Sequence, residues 1–137
     1  METDIFSKMR VKPKMKARVL YAPEGYPSGE GALDPSAKEE PADFVHLFVS
    51  SRQELEIRLP EALEYLGTGT LFWISYPKAS GKNRPDINRD SLWDASIPYG
   101  IHPVSQVSLD ETWSAVRFSL NEPGKVYVRP GKKKNVE

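Results

Sequence analysis

Leu71-Phe-Trp-Ile-Ser-Tyr-Pro-Lys-Ala-Ser-Gly-Lys-Asn-Arg-Pro-Asp-Ile-Asn-Arg-Asp-Ser-Leu-Trp93 is the stretch on which the fold reading turns. Thr70 to Tyr76 is apolar and rich in β-favouring side chains, which predicts a buried strand ended by Pro77. A basic Ser/Gly/Pro loop follows from Lys78 to Pro85. Asp86 or Asn88 then caps a short helix carrying Leu92, Trp93, Ala95 and Ile97, and Pro98 and Gly100 stop it.

Working backwards, Phe44 to Val49 is almost entirely apolar, as a strand covered on both faces must be. Ser51-Arg-Gln-Glu54 has capping-box spacing, and Leu55, Leu59, Ala62, Leu63 and Leu66 form one apolar helical stripe. Pro60 lies inside that stripe and predicts a kink or a restart; Gly67-Thr-Gly69 closes the element. Ala17 to Ala22 reads as an earlier strand, ended by the turn Pro23–Pro27. Residues 28–42 read as an exposed loop long enough for a parallel crossover. Before it, Asp4–Arg10 suits a turn or two of helix with Thr3 or Asp4 as N-cap. Lys8, Arg10, Lys12, Lys14, Lys16 and Arg18 make a basic run, read as a solvated approach to the first strand.

Working forwards, Val104–Leu109 and Trp113–Leu120 alternate and predict a hairpin turning at Asp110-Glu111. Val126–Val128 could add a little edge pairing, and Lys132–Lys134 belongs to a solvated tail. The order strand, loop, strand, helix, strand, helix, hairpin predicts an α/β domain with a mostly parallel sheet of about five strands, helices packed on it and an antiparallel end. The chain reads as one domain, 1–137, with its core at about 16–120 and polar extensions at 1–15 and 121–137. Right-handed crossovers put both helices on one face, so the N-terminal segment, the 28–42 loop or a second subunit must cover the other.

Composition narrows the function classes. The 137 residues hold 19 Lys plus Arg and 19 Asp plus Glu, so the basic excess of a duplex binder is missing and no nucleic-acid partner is expected. Without cysteine there are no disulfides, thiolate metal sites or cysteine nucleophile. Two histidines alone give no recognised metal-ligand spacing. Apolar runs are of strand length, and the start of the chain is too polar for a signal peptide; the expectation is a cytoplasmic protein with no membrane partner.

Several stretches carry a resemblance: Val19–Tyr26, Asp43–Val49 running into Ser51–Leu55, Trp73–Lys78, Asp86–Trp93 and Asp110–Phe118. They resemble a family of small uncharacterised bacterial proteins that look like shortened class I (Rossmann-like) methyltransferase domains. The resemblance implies a shortened Rossmann-like fold and brings no activity with it. A methyltransferase also needs a glycine-rich turn after its first strand, and Ala22-Pro-Glu-Gly-Tyr26 does not supply one. No S-adenosylmethionine or other cofactor is therefore expected.

In open α/β sheets, ligands sit at the carboxyl ends of the strands. Three loops meet there in this reading, offering Glu24, Tyr26, Ser50, Tyr76, Lys78, Ser80, Lys82, Arg84, Asn88 and Arg89. Lys78, Ser80, Lys82 and the helix start near Asn88 suit a phosphate or carboxylate, because free amides and the helix dipole favour an anion. His46, inside a buried strand, reads as a satisfied core histidine or a sheet-face residue. The functional expectation is a non-catalytic binding or interaction module, partnered by a second copy or another protein. The alternative is an enzyme or binder of a small anionic metabolite at Tyr76–Arg89.

Overall fold

The computed structural model describes residues 5–27, 33–34, 41–80 and 84–127. Six strands form one sheet in the order β2-β1-β3-β4-β6-β5. They are β1 (Met15–Leu20), β2 (Leu33–Asp34), β3 (Phe44–Phe48), β4 (Leu71–Pro77), β5 (Ile101–Ser108) and β6 (Trp113–Leu120). The helices are α1 (Ile5–Lys8), α2 (Arg52–Leu63) and α3 (Arg89–Ser96), with a 3-10 turn at Ile97–Tyr99.

This corrects the expected shortened Rossmann-like, mostly parallel architecture. β2, β1, β3 and β4 do run parallel, but β2 has two residues and β1 and β3 only six and five. The longest strands, β5 and β6 at eight residues each, are antiparallel, and β6 also pairs antiparallel with β4, from Trp113 to Phe118. Three short helices of four, twelve and eight residues accompany this sheet. The fold is sheet-dominated, with an antiparallel C-terminal half, and lacks the helix content of a Rossmann-like domain. Element order misleads here because a hairpin at the end of a chain adds sheet without needing crossover helices.

Strand alternation sorts the core into two layers. Val45, Leu47 and Val49, Phe72, Ile74 and Tyr76, and Val116 and Phe118 pack with Leu55, Leu59 and Ala62 of α2 and Leu92 and Ala95 of α3. On the opposite face Phe44, Trp73 and Ala115 pack against Ile5, Phe6 and Met9. Ile5, Phe6 and Met9, read from the sequence as part of a polar extension, are therefore core: Ile5 and Met9 are 0% exposed. The Trp73 indole N–H donates to the Met9 carbonyl at 3.1 Å, tying the segment down at the sheet centre.

Local signals behave as sequence chemistry requires, with four adjustments. Ser51 caps α2 by accepting from the Glu54 amide at 3.1 Å, while the Glu54 carboxylate accepts from the Ser50 amide. Asn88 caps α3 reciprocally with Ser91. Asp86, the other expected cap for α3, instead accepts from the Arg52 amide at 2.9 Å and serves α2. Pro60 does not break α2, which runs unbroken because Leu55, Leu59 and Ala62, all 0% exposed, hold both halves on the sheet. β1 lies two residues earlier than expected, since Tyr21 takes a left-handed φ of 61° and leaves the sheet. Val126 and Tyr127 form no strand; Tyr127 stacks on His102 with ring centroids 3.9 Å apart. The Thr3 and Asp4 caps, the Lys132–Lys134 tail and Val128 lie outside the described residues.

Candidate functional site

The end of β4 sets out two arrangements on opposite faces of the sheet. On the helix side, Tyr76 is 6% exposed and its hydroxyl accepts from Gln106 Nε2 of β5 at 2.9 Å. The same amide reaches Ser114 Oγ of β6 at 3.3 Å. Burial raises the Tyr76 pKa, the nearby Arg89 charge acting in the opposite sense, so the phenol stays protonated and neutral. Beside this polar cluster, α3 and the hairpin enclose a groove of about 330 Å³. Arg89 and Trp93 form one wall, Pro103 to Gln106 the other, and Val116 the floor. Trp93 Nε1 is buried and has no acceptor among the described residues. A bulge between Pro103 and Ser105 shapes the strand wall and turns Val104 outward, where it is 42% exposed.

On the opposite face a polar chain crosses the core. Tyr26 Oη lies 2.9 Å from His46 Nδ1, and His46 Nε2 lies 2.6 Å from Ser75 Oγ. The register makes this pairing: Phe48 sits opposite Ser75 in the parallel β3–β4 ladder, so His46, two residues back, reaches Ser75 diagonally on one face. A nucleophile–base pair looks like this in outline, but His46 and Ser75 are both 0% exposed. Phe44, Phe48 and Tyr26 ring the imidazole, and burial lowers the His46 pKa from 6.5 to about 3. Neutral imidazole accepts at one nitrogen and donates at the other, which satisfies both neighbours. Burial likewise pushes the Tyr26 phenol up. With His46 and Ser75 fully buried, the chain is a hydrogen-bonded element of the core.

The residues expected to form one cleft are thus divided. Tyr26 belongs to the sealed face and Tyr76 to the helix face. Glu24 is exposed on the Pro23–Tyr26 turn, and the exposed Ser50 gives its amide to Glu54. Lys78 Nζ donates to Ser108 Oγ and to the Asp110 carbonyl, so it pins the hairpin turn. Asn88 is occupied as a cap, Ser80 and Arg84 are exposed, and Lys82 lies outside the described residues. Among the described residues, Arg89 alone of the expected cations lines the groove.

At the carboxyl ends of β1 and β3, Arg58 fills the place where a ligand was expected. Its Nη1 donates to the Phe48 carbonyl at 3.0 Å and meets Glu54 at 3.2 Å, and its guanidinium lies 4.1 Å from the Tyr21 ring centre. Sequence reading missed Trp93, Gln106 and the 103–105 bulge as site formers. Pro103 within an otherwise alternating strand was the one available signal, since proline in a strand marks an edge or a bulge.

Among the described residues no group of three or more His, Asp or Glu is placed to hold a metal ion, and no helix is long and apolar enough to cross a membrane. Comparison with protein-family models and with curated proteins gives no match.

Proposed function

We propose that this protein is a non-catalytic binding module that takes a small anionic ligand into the groove between α3 and β5. The observation that carries the reading is the groove's composition: one cationic fork, Arg89, beside an apolar slot of Trp93, Pro103, Val104 and Val116. A guanidinium presents paired donors that match a carboxylate or phosphate, and the apolar walls keep water from competing. The volume lies near the lower end of small-molecule sites, which suits one compact ligand. The sealed state of His46 and Ser75 supports a binding rather than a hydrolytic role.

Calorimetric titration with a panel of aromatic and aliphatic carboxylates and their phosphate counterparts tests this. Binding by an anion that Arg89→Ala abolishes, and that the uncharged amide of the same compound fails to reproduce, supports the groove. Binding that survives Arg89→Ala, or a panel with no binder, overturns it.

A further inference from the structure

The N-terminal segment places cations where backbone geometry asks for glycine. α1 ends in a Schellman turn: the Arg10 amide donates to the Ser7 carbonyl at 3.1 Å and the Val11 amide to the Phe6 carbonyl at 2.8 Å. Arg10 takes the left-handed position of that motif, at φ 63°. Directly afterwards, Lys12-Pro13-Lys14-Met15 forms a second turn, with the Met15 amide 3.4 Å from the Lys12 carbonyl. Lys14 sits at φ 66° after a proline, the type II pattern that favours glycine at this site. Left-handed backbone is strained for a residue with a Cβ. Strain kept at two successive turns, each time by an exposed cation, needs a compensating reason.

The surroundings supply one. Lys12 is exposed as well, so three cations stand within five residues, and none of the three has an ion pair among the described residues. Their backbone is held from beneath: Ile5, Phe6 and Met9 are buried, and the Trp73 indole holds the Met9 carbonyl. The charges are therefore presented on a fixed frame rather than on a loose arm, which lowers the ordering cost of binding.

We propose that Arg10, Lys12 and Lys14 form a docking surface for an acidic segment of a partner protein, independent of the α3–β5 groove. A nucleic acid fits less well, because its backbone rewards a basic surface that extends over many phosphates. A chain with 19 Lys plus Arg against 19 Asp plus Glu has no such excess, whereas a short acidic segment needs only this local cluster. A lipid surface fits less well too, since Ile5, Phe6 and Met9 are buried in the core beneath this segment and are not offered for insertion.

The test uses the full chain and a fluorescent oligo-glutamate peptide, read by anisotropy at low and physiological salt. Wild type should bind the peptide more tightly than an oligonucleotide of equal charge or phosphatidylserine vesicles. Arg10→Gly with Lys14→Gly should weaken binding on the order of tenfold, the scale of two exposed ion pairs. The same variant should melt at the wild-type temperature or above, because glycine relieves the left-handed strain. Unchanged peptide affinity in that variant overturns the proposal, as does preference for the oligonucleotide or the vesicles. A fall in melting temperature shows that the two side chains are kept for folding and overturns it as well.

Discussion

The two faces of this sheet bury residues equally well but treat polar groups in opposite ways. Under the N-terminal segment, Tyr26, His46 and Ser75 satisfy one another inside aromatic packing, and His46 and Ser75 are shut off from solvent. Under the helices, Tyr76, Gln106 and Ser114 form a similar hydrogen-bonded cluster, but Arg89 and Trp93 leave a groove open beside it. The reason is coverage. A segment laid directly on the sheet closes the gaps, whereas the eight-residue α3 spans only part of β5 and β6. Polar residues in mid-strand therefore mark a site only where the covering layer stops short.

The contrast can be broken hardest through pH. An unfolded histidine titrates near 6.5, whereas folded His46 resists protonation down to about pH 3. Between those values the unfolded chain binds the extra proton, so His46's contribution to stability is intact above pH 6.5 and is lost as pH falls toward 3. The loss reaches about 5 kcal/mol at the acid end. Urea unfolding across a pH series should show this slope, and His46→Phe should flatten it. A wild-type profile with the same acid limb as the variant would refute the sealed-face account.

Trp73→Ala comes next, at about 4 kcal/mol, because it opens a cavity and releases the Met9 carbonyl. Its unfolding midpoint in urea should drop accordingly. Ser75→Ala leaves one imidazole nitrogen unpaired in the core and should cost about 1–2 kcal/mol by the same measurement. Arg89→Ala, on the open face, should change stability by less than about 0.5 kcal/mol while removing anion binding. Were Arg89→Ala to cost as much as Ser75→Ala, the open face would be held together by its own polar groups and the contrast would fail.

Much of the local structure was legible in the residues. The apolar run of β3, the bounds of β6, the Ser51 cap and the Asn88 cap all follow from neighbours within a few positions. The candidate site was only half legible. Arg89 and Tyr76 do meet at the helix face, but Tyr26 lies on the other side of the sheet and Lys78 is spent on the hairpin turn. Loop residues look equivalent in sequence because their hydrogen-bond partners lie on other elements. Lys78 is thirty-odd positions from Asp110, and Asp86 is as far from Arg52.

The sequence by itself determined the strands β3, β4 and β6, where two helices start, and that the layer opposite those helices needed a cover. Those properties depend on side-chain periodicity and capping chemistry, which act over a turn or a strand. Tertiary structure alone decided that Ile5, Phe6 and Met9 supply that cover, how far the antiparallel pairing reaches into the sheet, and that His46 meets Ser75. Each is a matter of register between segments far apart in the chain. Register is fixed by the sum of packing over a whole face, which no local pattern carries.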